Sequence, residues 1–215
     1  EKSIAIAHEI LPEILTVVPV YDRPIVPKMM GPVIVEHEEL RNHLLENLQS
    51  SDGYLGLVLV RSNEETGNLY PVSEDEFYKV GVVGKVVNVA PKVPDQPMQM
   101  MVQSLDRFDV QEMKFENGVF RCKAKHWYQT RFETNEELKA YSVAIIDCIK
   151  ELVQLNPLFK EGLSLVMERI NTNDPGALAD FSASMTTASG EELQEILEEK
   201  SIRHRIEKAL VLLKR

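Results

Sequence analysis

Apolar positions change their period once along the chain. From about residue 14 to 130 they alternate with polar ones, or run in short blocks between turn residues, as strands do. Strands are predicted over residues 54–60, 78–89 and 98–102. Residues 114–122 predict a hairpin, because Asn117-Gly118 divides two alternating segments and both residues tolerate the positive φ of a type I′ turn. One helix interrupts the strands over residues 38–48, with Leu40, Leu44, Leu45 and Leu48 on one face. Residues 17–35, VVPVYDRPIVPKMMGPVIV, mix β-branched residues with Pro19, Pro24, Pro27 and Pro32. Proline has no N–H for a central ladder, so this stretch predicts edge strands or tight bends.

After residue 133 the period becomes three and four. Thr134 with Glu137 reads as a capping box, followed by Leu138, Tyr141, Ile145, Cys148, Ile149 and Leu152 on one face. Asn156-Pro157 and Asp174-Pro175 each start a helix, since asparagine and aspartate cap and proline at the first helical position loses no hydrogen bond. Ser189 with Glu192 is a second box, and Ser201 caps a last helix through Ile202, Ile206, Leu210 and Leu213. The predicted class is α+β: an N-terminal β-rich subdomain of twisted sheets or a pseudo-barrel with one helix, followed by a C-terminal bundle of about five helices. The expected divisions are an N-terminal extension over 1–13, the β-rich subdomain over 14–130 and the bundle over 131–215.

Composition narrows the chemistry. The 215 residues are 44% hydrophobic and 27% charged, as in ordinary globular proteins, and carry a net charge of −10. Acidic runs at 36–39, 73–76 and 191–199 would repel a phosphate backbone, so no nucleic-acid partner is expected. No apolar run approaches the roughly 20 residues a membrane span needs, and a cytoplasmic protein is expected. Two cysteines, Cys122 and Cys148, fit a reducing compartment without structural zinc. Glu1 is not an initiator methionine, so the chain is expected to have been processed or excised from something longer.

Catalytic signatures are missing. There is no GxxxxGK[ST], GxGxxG, HExxH or GxSxG, and the histidines at 8, 37, 43, 126 and 204 follow no ligand spacing. Cys122 and His126 are four apart on a predicted strand, which separates them by about 13 Å, too far for proton transfer. No catalytic, cofactor-binding or metal-binding residue is therefore assigned. The methionines stand out instead. Met29-Met30 and the cluster of Met98, Met100 and Met101 are soft, adaptable side chains suited either to core packing or to a surface that accepts varied apolar partners. With the neighbouring prolines they give the candidate binding residues: Pro24, Pro27, Met29, Met30, Met98 and Met100.

Several segments together resemble one family. Residues 18–32 (VPVYDRPIVPKMMGP) resemble the start of the N-terminal domain of the Lon family of ATP-dependent proteases, residues 77–84 (FYKVGVVG) resemble its glycine-rich strand, and residues 103–108 (QSLDRF) sit where the family has a glycine, an apolar or polar residue and an arginine. Residues 155–161 (LNPLFKE) and 173–180 (NDPGALAD) are similar to its helical half. Two departures stand out: Glu36-His37 stands where many members have Gly-Arg, and the glycine expected before Arg107 is either Ser104 or shifted. The resemblance implies a non-catalytic domain that recognises unfolded or damaged polypeptides and supports assembly of a homohexamer. It implies too that the last helix runs on toward an ATPase using ATP and magnesium and a Ser-Lys peptidase, neither lying in these residues. The alternatives left open are a stand-alone interaction module of the same domain type and a mitochondrial matrix location.

Overall fold

Alternating large apolar residues close the first half of the chain into a barrel. The computed structural model describes residues 11–61, 70–91, 93, 96–128, 136–155 and 174–215. The strands are β1 (Ile14–Val20), β2 (Met30–Val35), β3 (Tyr54–Leu59), β4 (Val80–Val89), β5 (Met98–Glu116) and β6 (Val119–His126). The helices are α1 (Glu38–Asn47), α2 (Glu136–Leu155), α3 (Pro175–Ser184), α4 (Gly190–Glu198) and α5 (Ile202–Leu213). The sheet runs β2-β5-β4-β3-β1-β6, and β6 pairs back onto β5. Five strands thus form a ring, and β2 lies outside it, antiparallel to the first residues of β5. Leu15, Val17, Tyr54, Val58, Phe108 and Phe120 pack on one face of the ring strands. Val18, Leu55, Leu57, Met100 and Val102 pack on the other, beneath Leu40 and Leu44 of α1. Glycines let these layers approach: a Cβ on Gly84 would come 2.6 Å from Val102 Cγ1, and one on Gly81 would come 2.7 Å from the Leu57 carbonyl oxygen.

The prolines fall where their missing N–H does no harm. Antiparallel β6 pairs with β1 over Ile14 to Thr16, and parallel β3 pairs with it from Val17 to Val20, so among the described residues Pro19 has a strand on one side. Pro32 sits in β2, whose strand partner is β5. Pro24 and Pro27 lie in the β1–β2 connection and are buried. That connection is pinned by Ser104, whose hydroxyl accepts from the Met29 N–H at 2.8 Å and lies 2.7 Å from the Val26 carbonyl oxygen, its acceptor. Ser104 therefore has a structural task.

The hairpin forms as predicted, with β5 ending at Glu116, β6 starting at Val119, and Asn117 and Gly118 at φ 54° and 78°. Strand β5 is far longer than the predicted 98–102, because Gln103 to Glu112 carry too many polar residues to show alternation and a register shift between Gln111 and Lys114 interrupts what remains. Helix α1 turns Leu40 and Leu44 inward but leaves Leu45 46% exposed. Asp174 caps α3 through the Ala177 N–H with Pro175 behind it, Ser189 and Glu192 form the capping box of α4, and Ser201 caps α5 through the His204 N–H. The expected cap at Thr134, the helix start expected at Asn156-Pro157 and the expected boundary near 130 lie outside the described residues. Ile145, Ile149, Leu178, Phe181, Ile196 and Ile206 make the core of the helical half.

Candidate functional site

Polar groups join the two halves. Arg107 on β5 is 3% exposed; its Nη2 donates to Asp180 Oδ1 on α3 at 2.6 Å and its Nε to the Leu197 carbonyl on α4 at 2.8 Å. Arg205 on α5 approaches the other Asp180 oxygen at 3.6 Å and donates to the Glu199 carbonyl. Burial pulls the Arg205 guanidinium below its usual pKa while the Asp180 charge acts against it. Around this cluster Gln194 donates to the Val80 carbonyl at 3.0 Å, Lys28 pairs with Asp174 at 3.2 Å, and Arg23 reaches the Ser184 and Thr186 carbonyls. Among the described residues the apolar contact at this junction comes from Val80, Val82, Leu197 and part of Trp127, and from Met29 against the helical core. Arg107, Gln194, Lys28 and Arg23 thus each bond from the barrel half to the helical half or back, while Gln194 Oε1 and Arg205 Nη1 are buried without a hydrogen-bond partner among the described residues.

The only thiol near a histidine in sequence is equally unavailable. Cys122 is 1% exposed and burial pushes its thiol up to about 12, while His126 lies 2.8 Å from the Pro12 carbonyl oxygen. A thiolate reagent should therefore leave Cys122 untouched in the folded protein at mildly alkaline pH, reaching it only after denaturant is added. Mass mapping of the labelled cysteines checks this, and rapid labelling of native Cys122 would contradict it. Among the described residues no three His, Cys, Asp or Glu side chains converge as a metal site requires.

What the fold leaves open is a face. Where β2 and the start of β5 extend beyond the ring, alternation sends Val33, Val35, Met98, Met100 and Val102 into the core beneath α1. The same alternation sends Met30, Pro32, Ile34 and Met101 to solvent on the opposite face. Met30 is 45%, Ile34 56% and Met101 39% exposed, and the register places Pro32 directly across from Met101. Val87, the bulged residue of β4 next to Asn88, adds a further exposed apolar side chain.

The six predicted binding residues are scattered by this geometry. Met30 lies on the open face; Met98 and Met100, at 9% and 1% exposure, fill the core because they occupy the inward positions of β5. Pro24 and Pro27 are buried in the β1–β2 connection, and Met29 packs against the helical core. Ile34, Pro32 and Met101 carry the exposed apolar surface instead. Their signal was present in the sequence as alternation through residues 30–35 and 98–102, once the parity is fixed by the buried partners.

The fold is therefore a closed β-barrel with an exposed apolar flank, joined to a helical part by a buried ionic cluster. The family model described as the ATP-dependent protease La (LON) substrate-binding domain matches residues 14–215. The chain belongs to that family. It is 36% identical to Lon protease 1 of Syntrophotalea carbinolica over all of its length and 26% of the relative's. It is 35% identical to the Lon protease of Chlamydia pneumoniae over 97% of its length and 25% of the relative's. The chain thus spans about a quarter of the length of the relatives it matches. The N-terminal domain of a Mycobacterium avium complex Lon protease superposes with a TM-score of 0.68 at 17% identity, covering 94% of this chain and 98% of that one. A Lon N-terminal domain protein from Xanthomonas campestris superposes with a TM-score of 0.64 at 14% identity, covering 92% and 97%.

Proposed function

We propose that this chain is the substrate-recognition part of a cytoplasmic, ATP-dependent Lon-type serine protease, and that it holds unfolded or damaged polypeptide on the Met30-Pro32-Ile34-Met101 face. The observation that carries this reading is the exposure of those side chains on a sheet face opposite the helix-covered one, in a chain of the substrate-binding family. Exposed apolar side chains grouped on one surface gain from burial against a partner. Folded proteins have hidden theirs, so the face selects chains that have lost their fold. Methionine suits it because an unbranched thioether adapts to many shapes. Binding by one such face is weak, and a hexamer of the full-length protein would raise the effective affinity by presenting several at once. ATP hydrolysis and peptide cleavage belong in this reading to parts of the full-length protein beyond these residues, with ATP and magnesium as their cofactors. The testing experiment is titration of a permanently unfolded protein, such as reduced and carboxymethylated lactalbumin, onto the wild-type domain and onto a Met30→Ser, Ile34→Ser, Met101→Ser variant. Equal binding by the two would overturn the assignment of the face.

A further inference from the structure

The exposed face carries a second kind of side chain in register with the first. Three cross-strand rungs run over it: Met30, Gln103 and Lys85; Pro32, Met101 and Asn88; and Ile34 with Gln99. In a chain of net charge −10 these rungs contain no carboxylate and one cation, Lys85, which lies over the Tyr54 ring at 4.9 Å. Beside the apolar side chains stand amides instead. Resting on the reading of this face as the polypeptide-holding surface, we infer that Gln99, Gln103 and Asn88 hydrogen-bond the backbone of an extended segment whose alternate side chains rest on Met30, Ile34 and Met101. These amides are specificity-determining residues: they select an extended conformation, not a sequence.

The geometry favours such a ligand. Gln99 and Gln103 are four residues apart on β5, about 13 Å at strand rise, and an extended segment repeats its backbone groups and its side-chain direction every second residue, about 7 Å. Each side-chain amide offers a carbonyl acceptor and two N–H donors, so it serves either a peptide N–H or a peptide C=O. Gln103 gives one of its hydrogens to the Ser104 carbonyl at 3.2 Å, which fixes its amide against the sheet. A ligand adding to the free edge of β2 would meet Pro32, which has no N–H to offer at the middle of the strand. Lying across the face avoids that loss.

The test uses a short synthetic peptide with leucine at alternate positions and serine between, and the same peptide with its alternate backbone nitrogens methylated. The wild-type domain is expected to bind the unmodified peptide about tenfold more tightly, the worth of one to two neutral hydrogen bonds. In Gln99→Ala, Gln103→Ala the unmodified peptide should bind about tenfold more weakly and the preference should vanish, with the melting temperature unchanged. Undiminished binding and preference in that variant would overturn the inference while leaving the apolar face in place, provided the triple serine variant still loses binding. Concentration-dependent dimerisation abolished by the same two substitutions would also overturn it, in favour of a second copy as the occupant. A melting temperature lowered in the alanine variant is resolved by Gln99→Glu, Gln103→Glu, which keeps the acceptors and removes the donors and must still weaken binding.

Discussion

Replacing Asp180 by alanine should destabilise the fold by about 3 to 5 kcal/mol, the cost of leaving a buried charge without its partner. Here two charges are stranded: Arg107 and Arg205 are each 3% exposed, and both face the Asp180 carboxylate. Natural domains are stable by only about 5 to 15 kcal/mol, so the variant should sit near the unfolding threshold. Removing the cations together with the anion should recover much of the loss, because an apolar cluster of similar volume needs no compensating charge; Arg107→Met, Asp180→Leu, Arg205→Met is the variant to compare. Breaking exposed pairs such as Lys150 with Asp147 and Arg203 with Glu207 should change stability far less, because solvent screens them. Urea denaturation of the series gives these values directly, and a loss below about 1 kcal/mol for Asp180→Ala would show that the cluster is not what holds the helices to the barrel.

The second large effect falls on binding and leaves stability alone. Met30, Ile34 and Met101 are each about half exposed, so covering what remains of each is worth about 1 kcal/mol against the 1.5 to 3 of a fully buried apolar side chain. Losing all three to serine should therefore weaken capture of an unfolded protein about a hundredfold, at 1.4 kcal/mol per tenfold. The melting temperature should hold steady, since exposed substitutions away from packed groups change stability by about 0.5 kcal/mol or less. The inward residues predict the reverse. Met100→Ser beneath α1 should cost about 2 to 5 kcal/mol in stability, and affect binding only through unfolding.

Local chemistry explains which parts of this architecture could be read from the sequence. Asn117-Gly118, Asp174-Pro175, Ser189 with Glu192 and Ser201 each act within four residues, and each is found where its chemistry demands. Arg107 and Asp180 are 73 positions apart, and nothing near either says that it will be buried against the other. Ring closure by β5 was hidden for a related reason: its second half is polar on one side and interrupted by a register shift, so its pairing with β6 is a tertiary fact. The candidate face was half legible. The methionine clusters lie on the strands that carry the exposed apolar side chains, but the parity that turns Met101 outward and Met100 inward is set by the partners those strands find, Pro32 and Val33, and by α1 beneath them.

The eight methionines report on which surface holds unfolded polypeptide. With their methyl groups isotopically labelled, each reports in a two-dimensional spectrum whether its surroundings change when reduced and carboxymethylated lactalbumin is added. Met30 and Met101 on the open face should shift or broaden progressively through the titration, while Met98 and Met100 in the core beneath α1 and Met113 inside the barrel should hold their positions. Perturbation confined to other methionines, with Met30 and Met101 unmoved at saturation, would contradict the account.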